Sequence, residues 1–208
     1  NSQAARCGAC GATFDDIGGV LFFGGYEPQD FLGLIEVVAT GEMNQTPIDV
    51  GFARHLHQLL TDYHHATEKA EFIRAHPDDM VRAPWFSEHR YHEWMQTDAM
   101  LAGNDLAGKE VLNVGAGFGF DSVPLVDAGA DVTCIDYAPT IVALGKKGLP
   151  AARWVGGFSH ALPFKDESFD IVMANAAMHH MRSTPVALRE MLRVLKPGGF
   201  MFTVGDPI

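Results

Sequence analysis

Apolar and polar positions change their rhythm near residue 105 of the chain. Before it, the clearest signal has the helical period. Phe52, Leu56, Leu59, Leu60, Tyr63, Ala66, Ala70 and Ile73 recur every three or four residues and lay one apolar stripe along a helix. Thr46-Pro47-Ile48-Asp49 opens that helix: Thr caps it, Pro suits its first position, and an acid three residues after the cap favours the start. His76-Pro77 ends it. A second helix is predicted from Ser87 to about Ala102, with Tyr91, Trp94 and Met95 inward and Gly103 as its stop. Near the amino end, Cys7 to Phe14 followed by Val20-Leu-Phe-Phe23 reads as a knuckle running into short strands.

After residue 105 short apolar runs alternate with helical patterns. Val111–Val114, Asp131–Asp136, Arg153–Val155, Phe169–Ala174 and Phe200–Val204 read as buried strands. Between them lie three helices. One runs to about Ala128 with Gly129 behind it, and one is opened by Pro139. The third is capped by Thr184-Pro185, carries Leu188, Met191, Leu192 and Leu195, and stops at Gly198. Such alternation predicts an α/β fold, a doubly wound and mostly parallel sheet with helices on both faces. The expected organisation is therefore a short-strand segment at 1–45, a helical cap at 46–104 and a core at 105–208.

Composition narrows the class. At 208 residues, 47% hydrophobic and 20% charged with 22 Gly, the chain is neither disordered, collagen-like nor a coiled coil. Its length is enough to bury roughly 70% of the surface exposed when unfolded. Stretches without charge, such as Ile17–Tyr26 and Val111–Phe120, fall short of the ~20 apolar residues that span a membrane. The opening Asn-Ser-Gln-Ala-Ala-Arg lacks the apolar centre of a secretory signal, and three Cys make no disulfide framework. A reducing, cytoplasmic setting is expected. The net charge of −11 repels a phosphate backbone, and no run of five Lys or Arg occurs, so a small molecule is the expected partner rather than nucleic acid.

The chemistry begins where the first core strand ends, at Gly115-x-Gly117-x-Gly119. Glycines there admit positive φ and close approach of a ligand, and the following helix offers free N–H groups. A dinucleotide fingerprint places its third glycine three positions after the second, where this chain has Phe120. No phosphate-binding G-x-x-x-x-G-K-[ST] occurs. Asp136 stands at the carboxyl end of the second strand, 17 residues after Gly119. A carboxylate at that place either accepts hydrogen bonds from ribose hydroxyls or caps the next helix.

Four stretches in order carry a resemblance: Val111-Leu-Asn-Val-Gly-Ala-Gly-Phe-Gly119, Val132-Thr-Cys-Ile-Asp136, Leu162-Pro-Phe-Lys-Asp-Glu-Ser-Phe-Asp-Ile-Val172, and Leu188-Arg-Glu-Met-Leu-Arg-Val-Leu-Lys-Pro-Gly-Gly-Phe200. Together they resemble a class I S-adenosylmethionine-dependent methyltransferase of the type 11, small-molecule branch, similar to the ubiquinone and menaquinone biosynthesis enzymes. The last two stretches are not expected of a nicotinamide-dependent oxidoreductase. The resemblance implies S-adenosyl-L-methionine as cofactor and a small-molecule methyl acceptor. It implies that Gly115, Gly117 and Gly119 line the methionine part and that Asp136 holds the ribose. Tyr137 would lie beside the adenine, Gly157, Phe158 and Ser159 along its edge, and Asn175 with Ala176 near the transferred methyl.

Two positions depart from the family pattern. Asn113 replaces the acid two residues before the first glycine and, uncharged but able to accept a hydrogen bond, is the expected cofactor contact there; Phe158 replaces the acid that accepts from the adenine amine, with Ser159 and His160 as substitutes. Each lost charge-assisted bond would weaken binding by ~1.5–3 kcal/mol. A binding or scaffold module derived from a methyltransferase is therefore the alternative expectation.

Methyl transfer to an acceptor requires positioning and, for many nucleophiles, removal of a proton. His179, His180 and Tyr91 are the candidates for that task, with core packing as the alternative. Arg90 would pair with the cofactor carboxylate or lie on a solvated helix face. His55 with His57, His64 with His65, and His89 with His92 beside Glu88 and Glu93 form no His-Glu-x-x-His motif, so no metal site is expected of them. Cys7-x-x-Cys10 resembles the second half of a zinc-ribbon module, whose four ligands this chain alone does not supply, since Cys134 falls inside a strand. The chain opens on Asn, and the family sheet normally closes with two further strands after the fifth. A fragment lacking both ends is expected.

Overall fold

The computed structural model describes residues 3–17, 19–23, isolated positions between 51 and 76, and residues 96–206. Eight strands form one sheet: β1 (Gln3–Arg6), β2 (Thr13–Ile17), β3 (Val20–Phe23), β4 (Glu110–Val114), β5 (Asp131–Asp136), β6 (Arg153–Gly157), β7 (Phe169–Asn175) and β8 (Leu195–Val204). Three helices follow strands of the core: α1 (Val123–Asp127), α2 (Pro139–Gly148) and α3 (Thr184–Val194). Short 3₁₀ turns stand at Phe120–Ser122 and Met178–His180.

The spatial order is β1-β2-β3-β6-β5-β4-β7-β8. From β4 the chain steps outward to β5 and β6, then crosses back to β7 and β8 on the other side, all in parallel. Strand order thus reverses between β4 and β7, and the crevice outside their carboxyl ends is where open α/β sheets take ligands. The α/β, doubly wound reading holds.

Both faces of the sheet are packed. Val111, Val132, Cys134, Trp154, Ile171 and Phe202 belong to one buried cluster, and Leu112, Val114, Ile135, Val172, Ala174 and Met191 to the other. The alternation within β4 and β7 is the period-two geometry of strands covered on both sides. Trp154 anchors the first face: its indole N–H donates to the Leu149 carbonyl at 3.0 Å. A Cβ on Gly145 would stand 2.2 Å from that ring, so α2 lies close to β6 only because this position is glycine.

Two sequence expectations shift. Leu195 does not continue α3; it opens β8 and pairs with Phe169, while Phe200 pairs with Ile171. Lys196 to Gly199 bulge out between those pairs, because Pro197 turns the preceding residue away from helical backbone. Gly198, expected as the helix stop, serves this bulge at φ +80°. At the amino end, β1 to β3 form an antiparallel meander whose last strand pairs in parallel with β6. The short strands predicted there extend the main sheet, with the Phe22 ring over Gly156 and Lys146 donating to the Gly19 carbonyl. The Cys7 to Cys10 knuckle is the turn between β1 and β2, closed by Gly11 N–H to the Cys7 carbonyl at 2.9 Å.

Of the predicted helical stripe, Leu59 is buried. Phe52, Leu56, Leu60, Tyr63, Ala66, Ala70 and Ile73 lie outside the described residues, as do Thr46 to Asp49 and the inward set Tyr91, Trp94 and Met95. Residues 96–101 are helical, and Gly103 follows at φ +80° as the expected stop.

Candidate functional site

The glycine loop leaves β4 and turns back over β5. Gly115 and Ala116 both donate to the Ile135 carbonyl, at 2.9 and 3.2 Å. All three glycines have positive φ, but for different neighbours. A Cβ on Gly115 would meet the Ala177 methyl at 2.6 Å, and one on Gly119 would meet the Trp154 ring at 2.9 Å. Those two positions are glycine because the protein packs against them. At Gly117 a Cβ would meet nothing within 4 Å. This is the one glycine of the three that opens onto space.

Beside that space stands Asp136, buried at the end of β5. Its Oδ2 accepts from Gly117 N–H and its Oδ1 from Ala138 N–H, both at 3.0 Å. Ala138 is the N-cap residue of α2, so the carboxylate ties the glycine loop to the start of that helix. The capping role is real, and it leaves acceptor capacity, since a carboxylate offers about four lone-pair sites. Burial pushes the Asp136 carboxyl above its ordinary value; the main-chain N–H donors, and then the charge of His180, pull the other way. Tyr137 and Phe158 follow directly on the ends of β5 and β6, whose register pairs Asp136 with Gly156. The Phe158 ring packs against His160 at a centroid separation of 5.2 Å, with Ser159 half-buried between them in sequence.

Asn113 is placed differently. Its amide donates to Ser122 Oγ at 3.0 Å, and that hydroxyl lies 3.2 Å from Cys134 Sγ. All three residues are buried, and desolvation pushes the Cys134 thiol up to about 12. Asn113 is thus committed to the turn that starts α1. Ser122 had no signal of its own in the sequence, being an ordinary polar residue after an aromatic and an acid.

Across the crevice, Asn175 ends β7 and is 8% exposed. Its amide donates to Thr97 Oγ1 at 3.0 Å, while its Oδ1 is buried without a partner among the described residues. Ala176 follows at φ +48°, a strained value for a residue with a side chain, held by its N–H to the Val204 carbonyl at 2.7 Å. The next turn carries His179 and His180, with ring centroids 3.8 Å apart. Asp206, just beyond β8, accepts from the His179 main chain at 3.1 Å and from its Nδ1 at 2.8 Å, and its buried Oδ2 has no partner among the described residues. Thr97 and Asp206 escaped the sequence reading because they lie in segments far from the motifs they join.

The structure therefore gathers Gly117, Asp136, Asn175, His179 and His180 around the carboxyl ends of the central strands. Tyr91, Arg90, His57, His64, His65, Glu88, His89, His92 and Glu93 lie outside the described residues. Cys7 and Cys10 are free thiols far along the sheet edge, beyond β3 and β6. The N–H of Cys10, then that of Ala9, holds the Cys7 thiol below its ordinary value. Among the described residues no group of three or more His, Cys, Asp or Glu is placed to hold a metal ion, and no helix is long and apolar enough to cross a membrane.

Comparison with known proteins bears on the same half of the chain. Residues 112–203 match the family model described as a methyltransferase domain. A demethylmenaquinone methyltransferase of Renibacterium salmoninarum is 42% identical over 92 residues, covering 44% of this chain and 39% of that protein. An uncharacterized methyltransferase of Synechocystis is 33% identical over 121 residues, covering 56% of this chain and 54% of the relative. Among solved structures, the YcgJ protein of Bacillus subtilis superposes with a TM-score of 0.51 at 26% identity, over 54% of this chain and 50% of that one. The carboxyl-terminal half has the class I methyltransferase fold, and the chain spans about two fifths of the length of the first of these relatives.

Proposed function

We propose that this chain is an S-adenosylmethionine-dependent methyltransferase that acts on a small-molecule acceptor. The observation that carries the reading is the open face of Gly117 beside the buried carboxylate of Asp136, at the point where strand order reverses.

The residues present suit the cofactor. Gly117 leaves room for the methionine part against main chain, and Asp136 retains acceptor capacity for a ribose hydroxyl. Tyr137 and Phe158 offer aromatic surface for an adenine at the ends of β5 and β6. Asn175 Oδ1, buried and without a partner among the described residues, is an acceptor in search of a donor. When bound, S-adenosylmethionine supplies a methyl group already activated by its sulfonium, so no protein nucleophile is required. The chain's own part is to bind, to orient the acceptor in line and to keep water out. Of the two departures from the family pattern, Asn113 gives its amide N–H to Ser122 and so braces the loop. Phe158 supports the second reading, a cofactor-poor binding module, because an aromatic ring accepts no hydrogen bond from an adenine amine.

The test is transfer of label from methyl-labelled S-adenosylmethionine to reduced demethylmenaquinone, the acceptor named for the relatives, and to simpler quinols. Label in an acceptor is expected. Asp136→Ala should lower affinity for S-adenosylhomocysteine at least about tenfold in a folded protein, as for loss of a charged hydrogen-bond partner. A folded protein that neither binds S-adenosylhomocysteine nor transfers label would favour the binding-module reading. Unchanged affinity in the variant would place the site elsewhere.

A further inference from the structure

We infer that Cys7 and Cys10 form a site of thiol–disulfide exchange, closed to a Cys7–Cys10 disulfide by a low-molecular-weight disulfide, with Cys7 the attacking and Cys10 the resolving thiol. The site stands apart from the crevice, since β3, β6 and β5 lie between its hairpin and β4.

The local backbone brings the two sulfurs together. Gly11 N–H donates to the Cys7 carbonyl at 2.9 Å and closes a single helical turn. Cys7 N–H donates to the Ala12 carbonyl at 2.8 Å and closes the hairpin around it. Gly11 permits this return at φ +75°. Residues three apart in a helical turn lie on one side, and the Cys10 side chain hydrogen-bonds to the Cys7 thiol. Both cysteines are free thiols, Cys7 half-buried and Cys10 exposed.

The turn also prepares one sulfur for attack. The main-chain N–H groups of Cys10 and Ala9 converge on Cys7 and, with the Cys10 side chain, hold its thiol below its ordinary value. The thiolate is the form that attacks a disulfide. Cys134 does not compete, because it is buried within β5 and desolvation pushes its thiol up to about 12. Arg6 donates to the Gly11 carbonyl at 3.3 Å, which sets a guanidinium beside the turn and favours approach of an anionic disulfide. A structural zinc site takes four ligands, of which this turn supplies two. Exchange takes two sulfurs, and the turn supplies both.

The step balances. The Cys7 thiolate attacks one sulfur of the external disulfide; that sulfur–sulfur bond breaks, and its electron pair leaves on the first small thiolate. Cys10, giving up its proton, then attacks the Cys7 sulfur of the mixed disulfide and expels the second small thiolate. The two protons of the protein thiols end on the two released thiols. The protein dithiol is oxidised by two electrons and the external disulfide is reduced to two thiols.

Mass spectrometry of the full chain, reduced and then treated with glutathione disulfide, tests the site. The wild type should lose two hydrogens, yield a peptide cross-linked between Cys7 and Cys10, and keep Cys134 free. Cys10→Ser should take up one glutathionyl group on Cys7, at least about threefold faster than Cys7→Ser takes one up on Cys10. A wild type that stays reduced, or that accumulates mixed disulfides in place of the cross-link, overturns the site. Equal rates in the two variants overturn the roles given to the two thiols. Zinc added alone that stays with the chain through dialysis and shields both thiols from glutathione disulfide also overturns it, in favour of a metal site.

Discussion

Glycine is used three times in five residues of the β4 loop, and the reasons separate on substitution. Gly115→Ala and Gly119→Ala would drive a methyl into Ala177 or Trp154, which overpacks the core by about 1–3 kcal/mol on top of the strain of positive φ. Both should lower the thermal midpoint clearly. Gly117→Ala carries only the backbone strain, about 1 kcal/mol, but fills the space a ligand would occupy. Thermal unfolding with and without S-adenosylhomocysteine distinguishes them: Gly117→Ala should stay folded and lose most of its ligand-induced shift. An unchanged shift in that variant would contradict the placement of the cofactor. The positions of the three glycines were legible in the sequence. Which of them opens onto space was not, because that depends on Trp154 and Ala177 arriving from later elements. Asp136 was legible as a residue of the crevice; the structure shows its carboxylate accepting from Ala138 N–H at the start of α2 and from Gly117 N–H in the loop.

At the scale of elements, one arginine holds a loop to a helix. Arg193, near the end of α3, donates to both Glu190 oxygens, to Asp166, and to the carbonyls of Leu162 and Phe164. Glu190 in turn accepts from Leu162 N–H at 2.9 Å. The Leu162-Pro-Phe stretch is thereby fixed against α3 just before β7. Arg193→Ala should cost about 2–3 kcal/mol, the range for losing charged hydrogen bonds to partly buried partners. The guanidinium holds Glu190 below its ordinary value, and Lys196 does the same for Asp170. A lowered carboxyl contributes stability that is full above its unfolded value, near pH 4, and is lost as pH falls through the lower folded one. The wild type should therefore lose stability on acidification below about pH 4, and Arg193→Ala should lose less there. An equal acid response in denaturant titrations would show that the network does not carry this term. The helices and strands after residue 105 were readable from their periods. The start of β8 was not, because Leu195 continues the helical stripe and only Lys196-Pro197 breaks it. The pairing of β3 with β6 was hidden as well, since it rests on Phe22 meeting Gly156 across most of the chain.

For the molecule as a whole, the sheet places its chemistry at one end. The carboxyl ends of β4, β5, β7 and β8 bring together Gly117, Asp136, Asn175 and the hydrogen-bonded His179 and Asp206, while the free thiols of Cys7 and Cys10 lie aside at the β1–β2 edge of the sheet. The first two motifs predicted this end of the sheet, because the glycine loop follows β4 and Asp136 closes β5; the last two lead into β7 and β8. Thr97 and Asp206 were not predicted, since contacts between distant segments leave no periodic trace. The account stands on the claim that this crevice binds S-adenosylmethionine rather than a dinucleotide. Calorimetric titration of the chain with S-adenosylhomocysteine, with NAD as control, tests it most directly. Micromolar binding of the first and none of the second is the predicted result; a folded protein that binds NAD, or neither ligand, would contradict it.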